Sequence, residues 1–134
     1  MPTAGYSGTP LPKKLTIKEG TRVVTVGAPG DFRTTLGPLP SGATLRKELA
    51  APRDITIWFV TSRKQLEGDL RRVAPARGEG SLWVAWPKKA SGVKTDVTED
   101  VLREVILPMG LVDRKVCAID ETWSGLLFSW RREA

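Results

Sequence analysis

The run Asp54-Ile-Thr-Ile-Trp-Phe-Val60 constrains the fold more than any other stretch of the chain. Its β-branched and aromatic residues suit a pleated, buried surface, and Pro52 and Ser62 bound it, so it reads as a strand that belongs at the centre of a sheet. Ser62 then caps a helix over Arg63 to Ala74, in which Leu66, Leu70 and Val73 recur at helical spacing while Arg63, Lys64, Glu67, Asp69, Arg71 and Arg72 face water. Pro75 ends that helix, and Gly78-Glu-Gly80 turns the chain into Leu82-Trp-Val-Ala-Trp86, an unbroken apolar run of the kind covered on both faces. Strand, helix, strand in this order implies a right-handed crossover and parallel pairing.

The flanking segments extend the same pattern. Thr21 to Val26 is a β-branched strand that enters the loop Gly27-Ala-Pro-Gly-Asp31 and a short helix carrying Phe32 and Leu36, stopped at Gly37-Pro38. Ala43 to Glu48 reads as a polar edge strand. Further on, Asp96-x-x-Glu99 has the form of a capping box with Thr98 as a rival cap, and Val101, Leu102, Val105, Ile106 and Met109 form the stripe of the helix that follows. Leu111 to Ile119 and Leu126 to Arg131 read as two strands joined by the turn-rich Asp120-Glu-Thr-Trp-Ser-Gly125, an antiparallel pair. The expected architecture is one α/β domain over residues 21–134, a mostly parallel sheet with helices on both faces and an antiparallel C-terminal strand pair. Residues 1–20 read as an extended N-terminal arm, anchored by Tyr6, Leu11, Leu15 and Ile17.

Composition limits the chemistry. Among 134 residues there is no histidine and one cysteine, so the commonest proton-transfer side chain and metal ligand is missing and no protein metal site is expected. The lone Cys117 stands mid-strand as an inert thiol and agrees with a reducing compartment. No apolar run approaches a bilayer span and the N-terminus lacks a secretory pattern, so a cytoplasmic protein without a membrane partner is expected. A net charge of +6, from 21 Lys and Arg against 15 Asp and Glu, favours anionic partners.

Two stretches carry candidate sites. Gly27 and Gly30 form a strand-to-helix loop of the type that holds nucleotides, but it lacks the full G-x-G-x-x-G pattern and Pro29 deletes a donor, so a plain turn competes with a cofactor loop. The second is the basic loop after Pro87, with Lys88, Lys89, Ser91 and Lys94. Trp58 and Trp83 lie inside strands and belong to the core. Trp86 and Trp123 lie where strands meet polar loops, and there stacking on a planar ligand competes with packing. In open α/β sheets ligands gather beyond the carboxyl ends of the strands. That predicts a composite pocket of Trp86, Lys88, Lys89, Ser91, Asp120, Trp123 and Ser124, with the arm around Tyr6 and Lys13 laid across it. The serines have no histidine to activate them, and turn roles account for Asp120 and Glu121.

The ending, a helix followed by two strands, resembles the C-terminal half of the Rossmann-like methyltransferases, whose last strand inserts antiparallel. That resemblance implies a cofactor loop at Gly27 to Asp31 and makes Glu48 the candidate ribose-binding acid. A resemblance covering nearly the whole chain is to the bacterial domain-of-unknown-function family DUF3052. It is carried by Gly5-Tyr-Ser-Gly-Thr-Pro-Leu11 with Lys13-Lys14-Leu15, by Trp83-Val-Ala-Trp-Pro-Lys-Lys-Ala-Ser-Gly92 and by Asp120 to Gly125. It implies a small single domain and lends no activity. The expected function is a non-catalytic Rossmann-like module binding an anionic ligand or a macromolecular partner, such as a protein, at the C-terminal edge of the sheet, with no cofactor named. The rivals are a reduced methyltransferase-like or nucleotide-dependent enzyme, and a nucleic-acid-binding protein acting through Lys13, Lys14, Lys88, Lys89 and Lys94.

Overall fold

The computed structural model describes residues 9–50 and 52–132. Six strands, β1 (Arg22–Val26), β2 (Thr44–Arg46), β3 (Ile55–Phe59), β4 (Ser81–Pro87), β5 (Leu111–Ala118) and β6 (Trp123–Trp130), form one sheet in the order β2-β1-β3-β4-β6-β5. The strands β2, β1, β3 and β4 are parallel, while β6 runs antiparallel to both β4 and β5. The penultimate strand therefore points the same way as β4, and the turn after it reaches the carboxyl edge of the parallel strands. All of β3 is buried, the central position its composition demands.

Helices cover both faces. On one, α3 (Arg63–Val73) and α4 (Glu99–Ile106) pack Leu66, Leu70, Leu102 and Ile106 against Trp58, Val84, Trp86 and Phe128. On the other, α1 (Leu11–Lys14) and α2 (Phe32–Leu36) bring Leu15, Phe32 and Leu36 onto Ile57, Phe59, Trp83 and Leu127. Fully burying an aliphatic or aromatic side chain contributes about 1.5–3 kcal/mol, so the continuous apolar runs of β3 and β4 require layers on both sides.

The described part of the arm is not extended. Residues 11–14 form a helical turn, Leu15 and Ile17 are buried, and the Leu15 carbonyl accepts the Trp83 indole N–H at 3.0 Å. The apolar residues of this segment outweigh its turn-rich composition because they complete the core under α2. Tyr6 lies outside the described residues.

Helix starts follow the sequence with one reassignment. Ser62 accepts from the Gln65 N–H and caps α3, and Thr98 accepts from the Val101 N–H and caps α4. Asp96, read above as part of a capping box for α4, instead accepts the Arg63 N–H at 2.7 Å. Thr95 donates to the Thr61 carbonyl at 2.6 Å. These two bonds lay the segment after β4 across the carboxyl end of β3. One glycine is sterically obligatory: a Cβ on Gly80 would stand 1.9 Å from the Asp54 carbonyl oxygen, where β3 and β4 begin side by side. Among the described residues no helix is long and apolar enough to cross a membrane.

Candidate functional site

The basic loop and the final turn do meet. Trp86 pairs with Ser124 and Pro87 with Trp123, and the Lys88 N–H donates to the Thr122 carbonyl at 2.7 Å. The side chains are nevertheless divided between the two faces. Trp86 is only 8% exposed and belongs to the core under α3 and α4. Trp123 sits on the other face, where its ring meets Phe59 edge-on at 5.0 Å. Successive strand residues point to opposite faces, so no single surface presents both indoles, and Trp86 packs in the core in this structure.

The polar members of the loop are bonded to the backbone around them. Ser91 donates to the Lys88 carbonyl at 2.6 Å and accepts the Val93 N–H at 3.1 Å. Asp120 accepts the N–H groups of Thr122 and Trp123, both at 2.8 Å, and so closes the turn before β6. Lys88 is half-buried, Lys89 and Lys94 are exposed, and Lys13 is exposed on α1. Cys117 is half-buried in β5, and burial pushes its thiol above the ordinary value despite Lys14 and Lys115 nearby, which disfavours the thiolate.

Open space lies at the β1 and β2 end of the same edge. A cleft of about 230 Å³ is lined by Thr25, Ala28, Pro29, Gly30, Phe32 and Leu45 together with Arg33, Arg46 and Lys47. A second, of about 450 Å³, shares Thr25, Ala28 and Lys47 and adds Val26, Gly27, Leu49 and Arg72 of α3. The reason for the opening is topological. The segment after β4 covers the end of β3, whereas β2 spans three residues and no helix follows it among the described residues before β3. Gly27 shapes the rim: its φ is +71°, and a Cβ there would come within 3.1 Å of the Phe59 carbonyl.

The electrostatics of this opening are one-sided. Among the described residues four cations line the two clefts and no carboxylate does. Glu48, the acid that the methyltransferase resemblance would assign to a ribose, turns back to accept the Lys47 N–H at 3.0 Å. Arg72 makes a long 3.6 Å contact with Asp69 at the surface, and Arg33 reaches the Leu45 carbonyl only at 3.5 Å. Gly27 and Gly30 are therefore brought to a cleft, while the residues that give it its charge, Arg33, Arg46, Lys47 and Arg72, were not singled out by the sequence. Arg46-Lys47 carried a signal, since the end of the second strand is where doubly wound folds read a ribose. Arg72 carried none, being one of several cations on a solvated helix face.

No family model and no curated protein matches the chain, so the DUF3052 resemblance rests on the quoted motifs. Solved structures do match. A SAM-dependent methyltransferase from Aquifex aeolicus superimposes with a TM-score of 0.57 at 13% identity, covering 87% of this chain and 85% of that one. The structure titled DhpI-SAH complex gives 0.59 at 12% identity, covering 90% and 82%. The fold is the Rossmann-like methyltransferase fold. Aeropyrum pernix fibrillarin with natively bound S-adenosyl-L-methionine adds a TM-score of 0.52 at 16% identity, over 84% of this chain and 68% of that one. Such identities establish the Rossmann-like architecture and its antiparallel ending, and no chemistry.

Proposed function

We propose that this chain is a Rossmann-like binding module that takes an anionic ligand in the paired clefts at the carboxyl ends of β1 and β2. One observation carries the reading: Arg33, Arg46, Lys47 and Arg72 line adjoining clefts beside the Gly27–Gly30 loop, with no carboxylate among the lining residues. Cations gathered around a concave site raise the local potential and concentrate anions there. Both clefts lie at the carboxyl edge, where open α/β sheets bind ligands, on the β1 and β2 side of the reversal of strand order between β1 and β3.

A methyltransferase-like reading has the fold in its favour, since similar structures are complexes with S-adenosyl-L-methionine or SAH. The lining does not fit that cofactor. S-adenosylmethionine has one carboxylate against a sulfonium and an ammonium, and its ribose diol calls for an acceptor where this chain has Arg46 and Lys47. The test is amide chemical-shift mapping of the full chain titrated separately with pyrophosphate and with S-adenosylmethionine. Pyrophosphate shifts centred on Gly27 to Gly30 and Lys47 support the proposal. Shifts centred instead on Lys88 to Ser91 and Asp120 to Ser124 move the site to the basic loop. Saturable binding of S-adenosylmethionine alone would replace the proposal with the methyltransferase-like reading.

A further inference from the structure

We infer that the ligand is a phosphorylated nucleoside, and that Arg33, Arg46 and Lys47 read its phosphate. The inference rests on the anion-site reading above and goes beyond it by naming the chemical group. Arg33 projects from α2, Arg46 ends β2 and Lys47 follows it, so three cations from two segments border one cleft of about 230 Å³. A single carboxylate carries one charge and two acceptor oxygens. A phosphomonoester carries about −1.5 to −2 at neutral pH with three strong acceptor oxygens, and arginine forks match that geometry bidentately.

Position gives the second reason. At the end of the second strand of a doubly wound sheet, an acid hydrogen-bonds a free ribose hydroxyl, whereas an arginine accommodates a phosphate on it. This chain ends that strand in Arg46 and Lys47, with Glu48 turned to the backbone. The adjoining cleft of about 450 Å³ gives the third. Its walls are Val26, Ala28 and Leu49 with the planar guanidinium of Arg72 as a lining cation. Apolar walls and a guanidinium that stacks on aromatic faces suit a base. Lys47 lines both clefts, which places it at the junction of phosphate and nucleoside.

The test is calorimetric titration of the full chain with the four common nucleoside monophosphates and their parent nucleosides, and with pyrophosphate, repeated on Lys47→Ala and Arg33→Ala. Thermal melts check that both variants fold. At least one monophosphate is expected to bind on the order of tenfold more tightly than its own nucleoside, the size of one charged hydrogen bond. Arg33→Ala, which alters the smaller cleft alone, should erase that advantage and leave the nucleoside affinity in place, whereas Lys47→Ala, at the border of both clefts, should weaken the monophosphate more than the nucleoside. Equal affinity for nucleotide and nucleoside overturns the inference. So does pyrophosphate binding that Lys47→Ala abolishes while no nucleotide binds, although the anion site itself then stands. Failure of every probe to bind removes both readings.

Discussion

On the β4 and β6 side of the carboxyl edge, Ser91 and Asp120 direct their oxygens to neighbouring backbone groups and Trp86 and Trp123 are packed on opposite faces. On the β1 and β2 side, Arg33, Lys47 and Arg72 line open clefts, where Arg33 reaches the Leu45 carbonyl only at 3.5 Å and Arg72 an Asp69 oxygen only at 3.6 Å. Both regions carry glycines, cations and strand ends, so residue type does not separate them. What separates them is cover: one half is crossed by the segment that Thr95 and Asp96 tie to Thr61 and Arg63, and among the described residues the other has no such strap. A polar group that the fold already hydrogen-bonds has less capacity left for a ligand.

The largest expected effect lies in the closed half. Trp83→Ala removes a fully buried indole and its hydrogen bond to the Leu15 carbonyl. It should cost about 3–5 kcal/mol, read by chemical denaturation. A loss below about 1 kcal/mol would mean that residues 11–17 are not part of the core. Asp120→Ala comes next. Two backbone N–H groups lose their acceptor, so about 1–3 kcal/mol should be lost while anion affinity stays unchanged. If affinity falls and stability does not, the closed half is the site after all.

Acid should act on stability rather than on the clefts. The hydrogen bonds from Arg22 and Arg103 hold the carboxyls of Asp54 and Asp113 below their ordinary value of 3.8. Stability from these pairs is present above 3.8 and lost as pH falls through the lowered values in the folded protein. Both pairs are partly exposed, so the effect should be small, and Asp54→Asn should flatten the acid limb of the melting curve. The smallest stability effect, and the sharpest comparison, is Lys47→Ala beside Lys88→Ala. Each should change stability by no more than about 0.5 kcal/mol, while only Lys47→Ala weakens anion binding in calorimetry. An equal loss of binding in both variants would erase the distinction between the two halves.

Much of the fold was legible in the sequence. The β-branched and apolar runs placed β1, β3 and β4, the i, i+4 spacing of Leu66 and Leu70 placed α3, and Ser62 and Thr98 marked helix starts. Less of the site was legible. The strand-to-helix loop of Gly27 and Gly30 is legible in the sequence and borders the open clefts, but the cations beside it come from α2, the end of β2 and α3. Arg33 on α2 and Arg72 on α3 are separated in the chain by β2 and β3 and share a neighbourhood through Thr25, Ala28 and Lys47, which line both clefts. Asp96 shows the same limit. Its spacing from Glu99 fitted a local cap, and a helix start remote in sequence took the carboxylate instead.

The sequence by itself determined the element order, the two-faced burial of β3 and β4 and the antiparallel ending, because periodicity, β-branching and turn chemistry act over a few neighbouring residues. Only the tertiary structure decided which basic residues face a cavity. That depends on strand order, on the register that pairs Trp86 with Ser124 and sets Trp123 on the other face, and on which loop lies over which strand end. Those are contacts between segments distant in the chain, fixed by how the layers close on the core rather than by local pattern.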